Sequence, residues 1–221
     1  TNIEVPSDHA ITAILYQKAA EEHIKYLLMG TNLATEGINP SYWGEYNKDL
    51  RLIKGIHKRF GSGKITTFPT ISLIQFAYYV GIKRIRHISL LNYVHYDRNE
   101  AIQELNEKLD WTSYGGKHYE SVFTRFFQGY ILPQKFGVDK RLGHLSTLIM
   151  SGQMTRDQAI EQMRLPVYPK ETMEEDKEYC LKKLDLSERK FDELMAKPIR
   201  SSKDYPSNDW IFKRLSIIMK M

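Results

Sequence analysis

The 221-residue chain has a single cysteine, Cys180. Neither an intrachain disulfide nor a four-cysteine zinc site can form within one chain. A lone thiol fits a reducing compartment and points to the cytoplasm. Glycine and proline are sparse, at 13 and 8, while aromatics reach 12%. That balance argues against disorder. Long hydrophobic runs are missing. The longest, 71–82, is interrupted by Ser72, Gln75 and Gly81 and is too short to span a bilayer. The first residues lack the basic-then-apolar order of a secretory signal. None of the seven histidines lies in an HExxH or other close ligand spacing, so the reading assigns no metal site. There is no G-x-S-x-G, and Cys180 sits in a charged stretch. A serine or cysteine nucleophile is therefore unsupported.

What is present is a chain of one large or two small domains, long enough to bury roughly 70% of its unfolded surface. The net charge is +5. That describes a soluble protein tolerant of anionic ligands, with nucleic acid or a membrane surface as the sharper alternatives.

Hydrophobic spacing orders the elements. His9–Glu22 reads as a helix capped by Ser7 or Asp8, with Ile11, Ile14, Leu15 and Ala19 on its core face. The run 24–29 reads as a buried parallel strand. Tyr46–Phe60 is a helix that Gly61 is placed to end in the left-handed conformation. Its outer face carries Lys48, Arg51, Lys54, Lys58 and Arg59. A short extended piece over 64–68, a buried helix over 71–80 and a second strand over 88–94 follow. Helices are then expected from Asp97, over 119–132 with Pro133 as its stop, over 139–151, from Thr155, and over 171–184, 187–196 and 208–219. The order is α/β to about residue 110 and almost all α beyond. Two strands, with a third at best, make a poor sheet core. Further strands should lie before Thr1 or come from another chain.

Three segments could carry chemistry. Residues 30–37, Gly-Thr-Asn-Leu-Ala-Thr-Glu-Gly, follow the first strand, where open α/β sheets bind ligands. Gly30 permits close backbone approach, Thr31, Asn32 and Thr35 are neutral polar groups, and Glu36 can reach a ribose or a metal-bound phosphate. The other reading is an ordinary strand-to-helix turn. Residues 114–120 place Lys117 by an expected helix start, with His118 and Glu120 suited to proton transfer; the other reading is a glycine turn with a solvated lysine. Asp139–His144 is either an anion site or a charged helix start. Arg125, among Phe123, Phe126 and Phe127, either anchors a substrate acid or pairs with a neighbouring one.

Taken in order, several runs resemble one family. They are Pro-Ser-Asp-His-Ala at 6–10, the 30–37 run, Ile-His-Lys-Arg-Phe-Gly at 56–61 and Thr-Phe-Pro-Thr at 67–70. Leu-Asn-Tyr-Val at 91–94, Tyr-Gly-Gly-Lys-His-Tyr-Glu-Ser at 114–121, Ser-Gly-Gln-Met-Thr-Arg at 151–156 and Asn-Asp-Trp at 208–210 complete the set. The chain resembles the N-acetyl sugar amidotransferases of lipopolysaccharide O-antigen and nonulosonic-acid biosynthesis, members of the PP-loop ATP pyrophosphatases. The resemblance implies a partial Rossmann-like parallel sheet followed by a mainly helical C-terminal region. The division it implies is 1–110 for the C-terminal part of the nucleotide-binding domain and 111–221 for a helical sugar-substrate and assembly region. It implies ATP and Mg2+ as cofactors and an N-acetylated nucleotide sugar as substrate. The amide oxygen would be adenylylated with release of pyrophosphate, and ammonia would then displace AMP to leave an acetamidino group. A glutaminase subunit and a cyclase-like partner would deliver the ammonia, and a homo-oligomer is possible. Gly30, Thr31, Asn32 and Glu36 fall to the nucleotide, Lys117, His118 and Glu120 to catalysis, and Arg125, Lys140, Arg141 and His144 to the sugar or pyrophosphate.

The family's phosphate-gripping Ser-Gly-Gly-x-Asp-Ser loop and its paired cysteines are not in this sequence. Both normally precede the run found here at 6–10. The expectation is that these residues are the C-terminal portion of a longer protein, inactive alone. A basic helical nucleic-acid-binding module and a noncatalytic assembly subunit remain the alternatives.

Overall fold

The computed structural model describes residues 3–38, 40, 49–112, 114, 117, 119–167 and 169–211. They form two compact units. The first draws on Thr1–Met29, Ser41–Ser89 and Arg200–Met221, the second on Gly30–Pro40 and Leu90–Ile199.

The first unit opens with helix α1, Val5–Glu21. Pro6 sits in its first turn, where a missing N–H is harmless and φ is already helical. The helix therefore starts earlier than Ser7 or Asp8 could cap it. Glu4 holds the N-cap position without a side-chain bond. The buried stripe is Val5, His9, Ala13, Tyr16 and Ala19, whereas the expected core residues Ile11 and Ile14 are 57% and 46% exposed. His9 is fully buried. Its Nε2 accepts the Ile71 N–H at 3.2 Å, which ties α1 to the crossover segment.

Strands β1, Tyr26–Met29, and β2, Arg86–Ser89, pair in parallel with Met29 opposite Ser89. They are the whole sheet among the described residues. Ala13, Tyr16, Ala19, Ile71 and Ile85 form the core, with Leu27, Phe76 and Tyr79 packed against it. Side chains alternate across a strand, so Leu27 reaches this core while Tyr26 and Leu28 stay largely exposed. The second strand is shorter than expected, because Leu90–Asn92 turns into a 3-10 helix. The 64–68 segment forms no strand. The 71–80 run is not one buried helix. Helix α4, Leu73–Ala77, passes into π-helical winding over Tyr78–Ile82. Only Phe76 and Tyr79 pack on the core, and Ile74 is 82% exposed. Nothing among the described residues covers its other side.

Helix α3, Leu50–Phe60, begins at Asp49, and the expected start from Tyr46 lies outside the described residues. Asp49 is 2% exposed. Its carboxylate accepts the N–H groups of Arg51 and Leu52 at 3.0 and 3.2 Å. It also accepts the Asn208 N–H at 2.6 Å and its amide Nδ2 at 3.2 Å. One carboxylate thus caps α3 and holds the late segment of the chain. Gly61 ends the helix extended, at φ −80°, not left-handed. A glycine is needed for clearance instead, since a Cβ there would lie 2.2 Å from His57 Nδ1. Residues 209–211 are helical; the rest of the helix expected to 219 lies outside the described residues.

The second unit is helical. It comprises α2 (Leu33–Glu36), α5 (Arg98–Leu109), α6 (Val122–Phe126), α7 (Arg141–Met150), α8 (Arg156–Arg164), α9 (Lys170–Lys183) and α10 (Glu188–Ala196). Helix α6 continues as a π-helix over Phe127–Phe136 with Pro133 inside it. Proline stops an α-helix by its missing N–H and its clash with the carbonyl four residues back. The chain passes Pro133 in the wider i to i+5 winding, so Pro133 does not end the helix as expected. Asp97, Thr155 and Ser187 cap α5, α8 and α10 as their residue types predict. Gly152, at φ +75°, closes α7. One core joins Phe126, Cys180, Leu181 and Phe191, and a second joins Leu145, Leu148 and Ala159. Lys135 Nζ donates to the carbonyls of Leu194, Met195 and Lys197 at 2.7–2.9 Å. It satisfies the orphan acceptors at the end of α10.

Replacing Asp49 by alanine removes a cap and orphans the Asn208 donors. Urea denaturation should show a loss of about 1–3 kcal/mol, against less than about 0.5 kcal/mol for the exposed Asp157→Ala. Burial, assisted by Asp176 and opposed by Arg125, pushes the Cys180 thiol up to about 11. Only the thiolate is reactive. Cys180 should therefore resist an aromatic disulfide reagent at pH 8 until denaturant is added, whereas rapid labelling of folded protein would contradict the burial.

Candidate functional site

Both parallel strands end in register, and the chain passes from Met29 and Ser89 directly into the second unit. The segments that follow are tied together there. Asn92 Oδ1 accepts the Leu33 N–H at 2.8 Å. Asn32, in an extended conformation, caps α2 through Oδ1, which accepts from the Thr35 N–H at 2.8 Å and its hydroxyl at 3.1 Å. At the far end of α2, the Ile38 N–H donates to Thr147 Oγ1 at 3.0 Å. That hydroxyl in turn donates to the Gly143 carbonyl. A four-residue helix has little stability of its own. Here side chains from the 90–92 turn and from α7 hold it at both ends.

Two more side chains converge on the Thr35 carbonyl. Lys117 Nζ donates at 3.5 Å, and His144 Nδ1 lies 3.3 Å away. A carbonyl only accepts, so Nδ1 carries the proton in this contact. Lys117 also pairs with Glu36 at 3.0 Å, both side chains about one-third exposed. A pair so exposed is worth at most about 1 kcal/mol. An incoming anion can therefore displace Glu36 from Lys117 at little cost. The structure thus gathers Asn32, Glu36, Lys117 and His144 from segments up to 112 residues apart in sequence. Gly30 and Thr31 lead into the turn, both exposed. His118 lies outside the described residues.

The remaining candidates are placed elsewhere or engaged. Glu120 is exposed just before α6, and Lys140 is the N-cap residue of α7. Arg125 donates in bidentate fashion to Asp176, at 2.6 and 2.7 Å, and Asp176 is 4% exposed. The guanidinium also lies 5.5 Å from the Tyr119 ring centroid. Burial pushes that phenol upward, against the pull of Arg125 and Arg141; its hydroxyl donates to the Val167 carbonyl. Arg141 closes on the Asp139 carboxylate at 2.8–3.1 Å. Its other arm donates to the carbonyls of Gln162, Leu165 and Pro166, so this arginine finishes α8.

Two contributors were not among the expected residues. Asn92 lies in the Leu-Asn-Tyr-Val run, where an amide at a strand's carboxyl end was the available signal. Thr147 sits inside α7, and no sequence pattern distinguishes it from a surface threonine.

The donor set does not by itself suit a nucleotide's phosphates. The N–H groups of Leu33 and Thr35 are spent on Asn92 and Asn32. Among the described residues no cluster of three His, Cys, Asp or Glu side chains could hold a metal ion.

Residues 120–219 match the family model described as LPS biosynthesis protein WbpG-like, C-terminal domain. This part of the chain is similar to that domain, and the match covers under half of the chain. No curated protein and no solved structure matches the chain. The WbpG-like segment begins between Lys117 and α6 and includes His144, Thr147 and the Arg125–Asp176 pair. Its end, from Arg200, belongs to the first compact unit. Among the described residues no helix is long and apolar enough to cross a membrane.

Arg125→Met should destabilise the WbpG-like segment by about 3–5 kcal/mol, because it leaves the buried Asp176 charge unpaired. The double change Arg125→Met, Asp176→Leu should recover most of that loss in urea denaturation. A double variant as unstable as the single one would contradict the account.

Proposed function

We propose that the chain contributes the substrate side of an ATP-dependent N-acetyl sugar amidotransferase in lipopolysaccharide biosynthesis. The WbpG-like match supports the pathway. The observation that carries the finer reading is the convergence of Lys117 and His144 on the end of α2 beside Glu36, with Glu36 and Lys117 from separate runs of the family resemblance.

The phosphate grip is assigned to residues outside this chain, because the Leu33 and Thr35 amides of the Gly30–Glu36 turn are already bonded to Asn92 and Asn32. The open sheet supports the same division of labour. Parallel sheets are stable with both faces covered and several strands, and this one leaves Tyr26 and Leu28 exposed. Within the chain, Lys117 is the group that receives substrate anion, a uronate or diphosphate, by exchange with Glu36. His144 keeps the Thr35 carbonyl turned inward. Glu36, once released, is the acceptor for a ribose hydroxyl or the single carboxylate that a phosphate-bound Mg2+ commonly takes. A glutaminase and a cyclase-like partner are the proposed ammonia source.

The test joins this chain to a segment carrying the phosphate loop and measures pyrophosphate release with an N-acetylated UDP-uronic acid and ammonia. Release that requires both the sugar and the added segment supports the reading, and none from folded protein overturns it. In that complete enzyme Lys117→Ala should raise the sugar KM by roughly ten- to a hundredfold, the loss of one charge-assisted hydrogen bond. Glu36→Gln should slow the ATP half-reaction with a smaller effect on sugar KM. Wild-type kinetics for either variant would remove that residue from the site.

A further inference from the structure

Charge on the first unit is uneven. Residues 50–64 contain Arg51, Lys54, Lys58, Arg59 and Lys64 and no acidic residue. Those five cations equal the net excess of the whole chain, +5. All five are exposed, and none makes an ion pair among the described residues. Arg51, Lys54 and Lys58 follow at i, i+3 and i+7, so they form one stripe along α3. The apolar side of the same helix, Leu50, Leu52 and Ile53, is already buried. Arg51, Lys54 and Lys58 therefore lie on the exposed side of the helix.

The end of the helix adds an aromatic. Phe60 is 61% exposed. The guanidinium carbons of Arg59 and Arg200 lie 5.5 and 5.8 Å from its ring centroid. Arg59 also lies 5.8 Å from the ring of Tyr205. Arginine against an exposed ring suits the boundary between a charged surface and an apolar layer, where aromatic side chains sit at headgroup level.

We propose that this face of α3, with Arg200, docks on an anionic lipid bilayer. A flat anionic surface can meet the aligned cations of one helix stripe together, and each contributes independently. Single-stranded nucleic acid asks for something different, a basic groove with free ring faces on which bases stack. Here the stripe lies on the exposed side of the helix, and among the described residues the exposed Phe60 ring beside it is engaged by guanidinium groups. Docking is independent of the amidotransferase reading, since no residue of the Glu36–Lys117–His144 site takes part.

The test is co-sedimentation of the chain with vesicles of phosphatidylglycerol and phosphatidylcholine at low salt. Partition should rise with the phosphatidylglycerol fraction and be negligible on pure phosphatidylcholine. It should fall by about a hundredfold for Arg51→Gln, Lys54→Gln, Lys58→Gln, given the worth of each basic residue near an anionic surface. Lys170→Gln, Lys190→Gln, on exposed sides of α9 and α10, should leave it unchanged, with circular dichroism verifying each fold. No partition, or partition that the stripe variant keeps, overturns the proposal. So does displacement by inorganic pyrophosphate at matched ionic strength, which would mark a small-anion site. Tighter binding to an RNA oligonucleotide through the same three residues would assign the face to nucleic acid instead.

Discussion

Two parallel strands cannot bury themselves. Each presents apolar side chains on alternate faces, and each leaves one edge of backbone donors and acceptors without a neighbour. In this chain α1, α4 and the π-helical turn that follows it cover one face, through Tyr16, Phe76 and Tyr79, while Tyr26 and Leu28 remain exposed on β1. Ile11, Ile14, Ile74 and Ile82 are exposed in the same unit. The proposed function rests on that constraint: it takes the sheet as one part of a larger sheet and the turns at its carboxyl end as one part of a larger site.

Those turns are held by neutral polar side chains rather than by packing. Asn32, Asn92 and Thr147 each satisfy backbone donors of the 32–38 segment, which would otherwise be a short helix with orphan amides at its start. The charged groups are added on top of this frame through the Thr35 carbonyl and the Glu36 carboxylate. The division has a chemical consequence. Neutral bonds keep α2 in place whether or not Lys117 and Glu36 remain paired, so their ion pair can open without the turn unfolding. The strongly held arginines lie elsewhere. Arg125 and Arg141 are closed on Asp176 and Asp139 and keep the helical unit together.

Helix positions were legible because capping residues announce them: Asp97, Thr155 and Ser187 each sit where the pattern put a helix start. Which face of a helix is buried was less legible. In α1 the isoleucines outrank His9 and Tyr16 on any hydrophobicity scale, yet the aromatic and histidine side chains form the core stripe and Ile11 and Ile14 face out. Spacing alone cannot tell an inward apolar residue from one awaiting a partner. Pro133 misled for a related reason, since the rule that proline stops a helix assumes α geometry and the chain adopts π winding there. Within the site, Glu36 and Lys117 were legible as charged groups in runs of the family resemblance, and His144 as a titratable group in the charged 139–144 segment. Asn92 and Thr147 were not assigned, because a side chain that bonds to distant backbone leaves no periodic trace. Arg125 was left between two readings, and only the position of Asp176, 51 residues on, decides where its fork closes.

The central claim is that the sheet is incomplete by itself. Hydrogen–deuterium exchange at the amides of Tyr26–Met29 and Arg86–Ser89 tests it directly, comparing this chain alone with the same chain joined to a phosphate-loop-bearing segment. The account predicts weak protection of the outward strand amides in the chain alone and protection increased by orders of magnitude in the joined protein. Equal protection in both would contradict it.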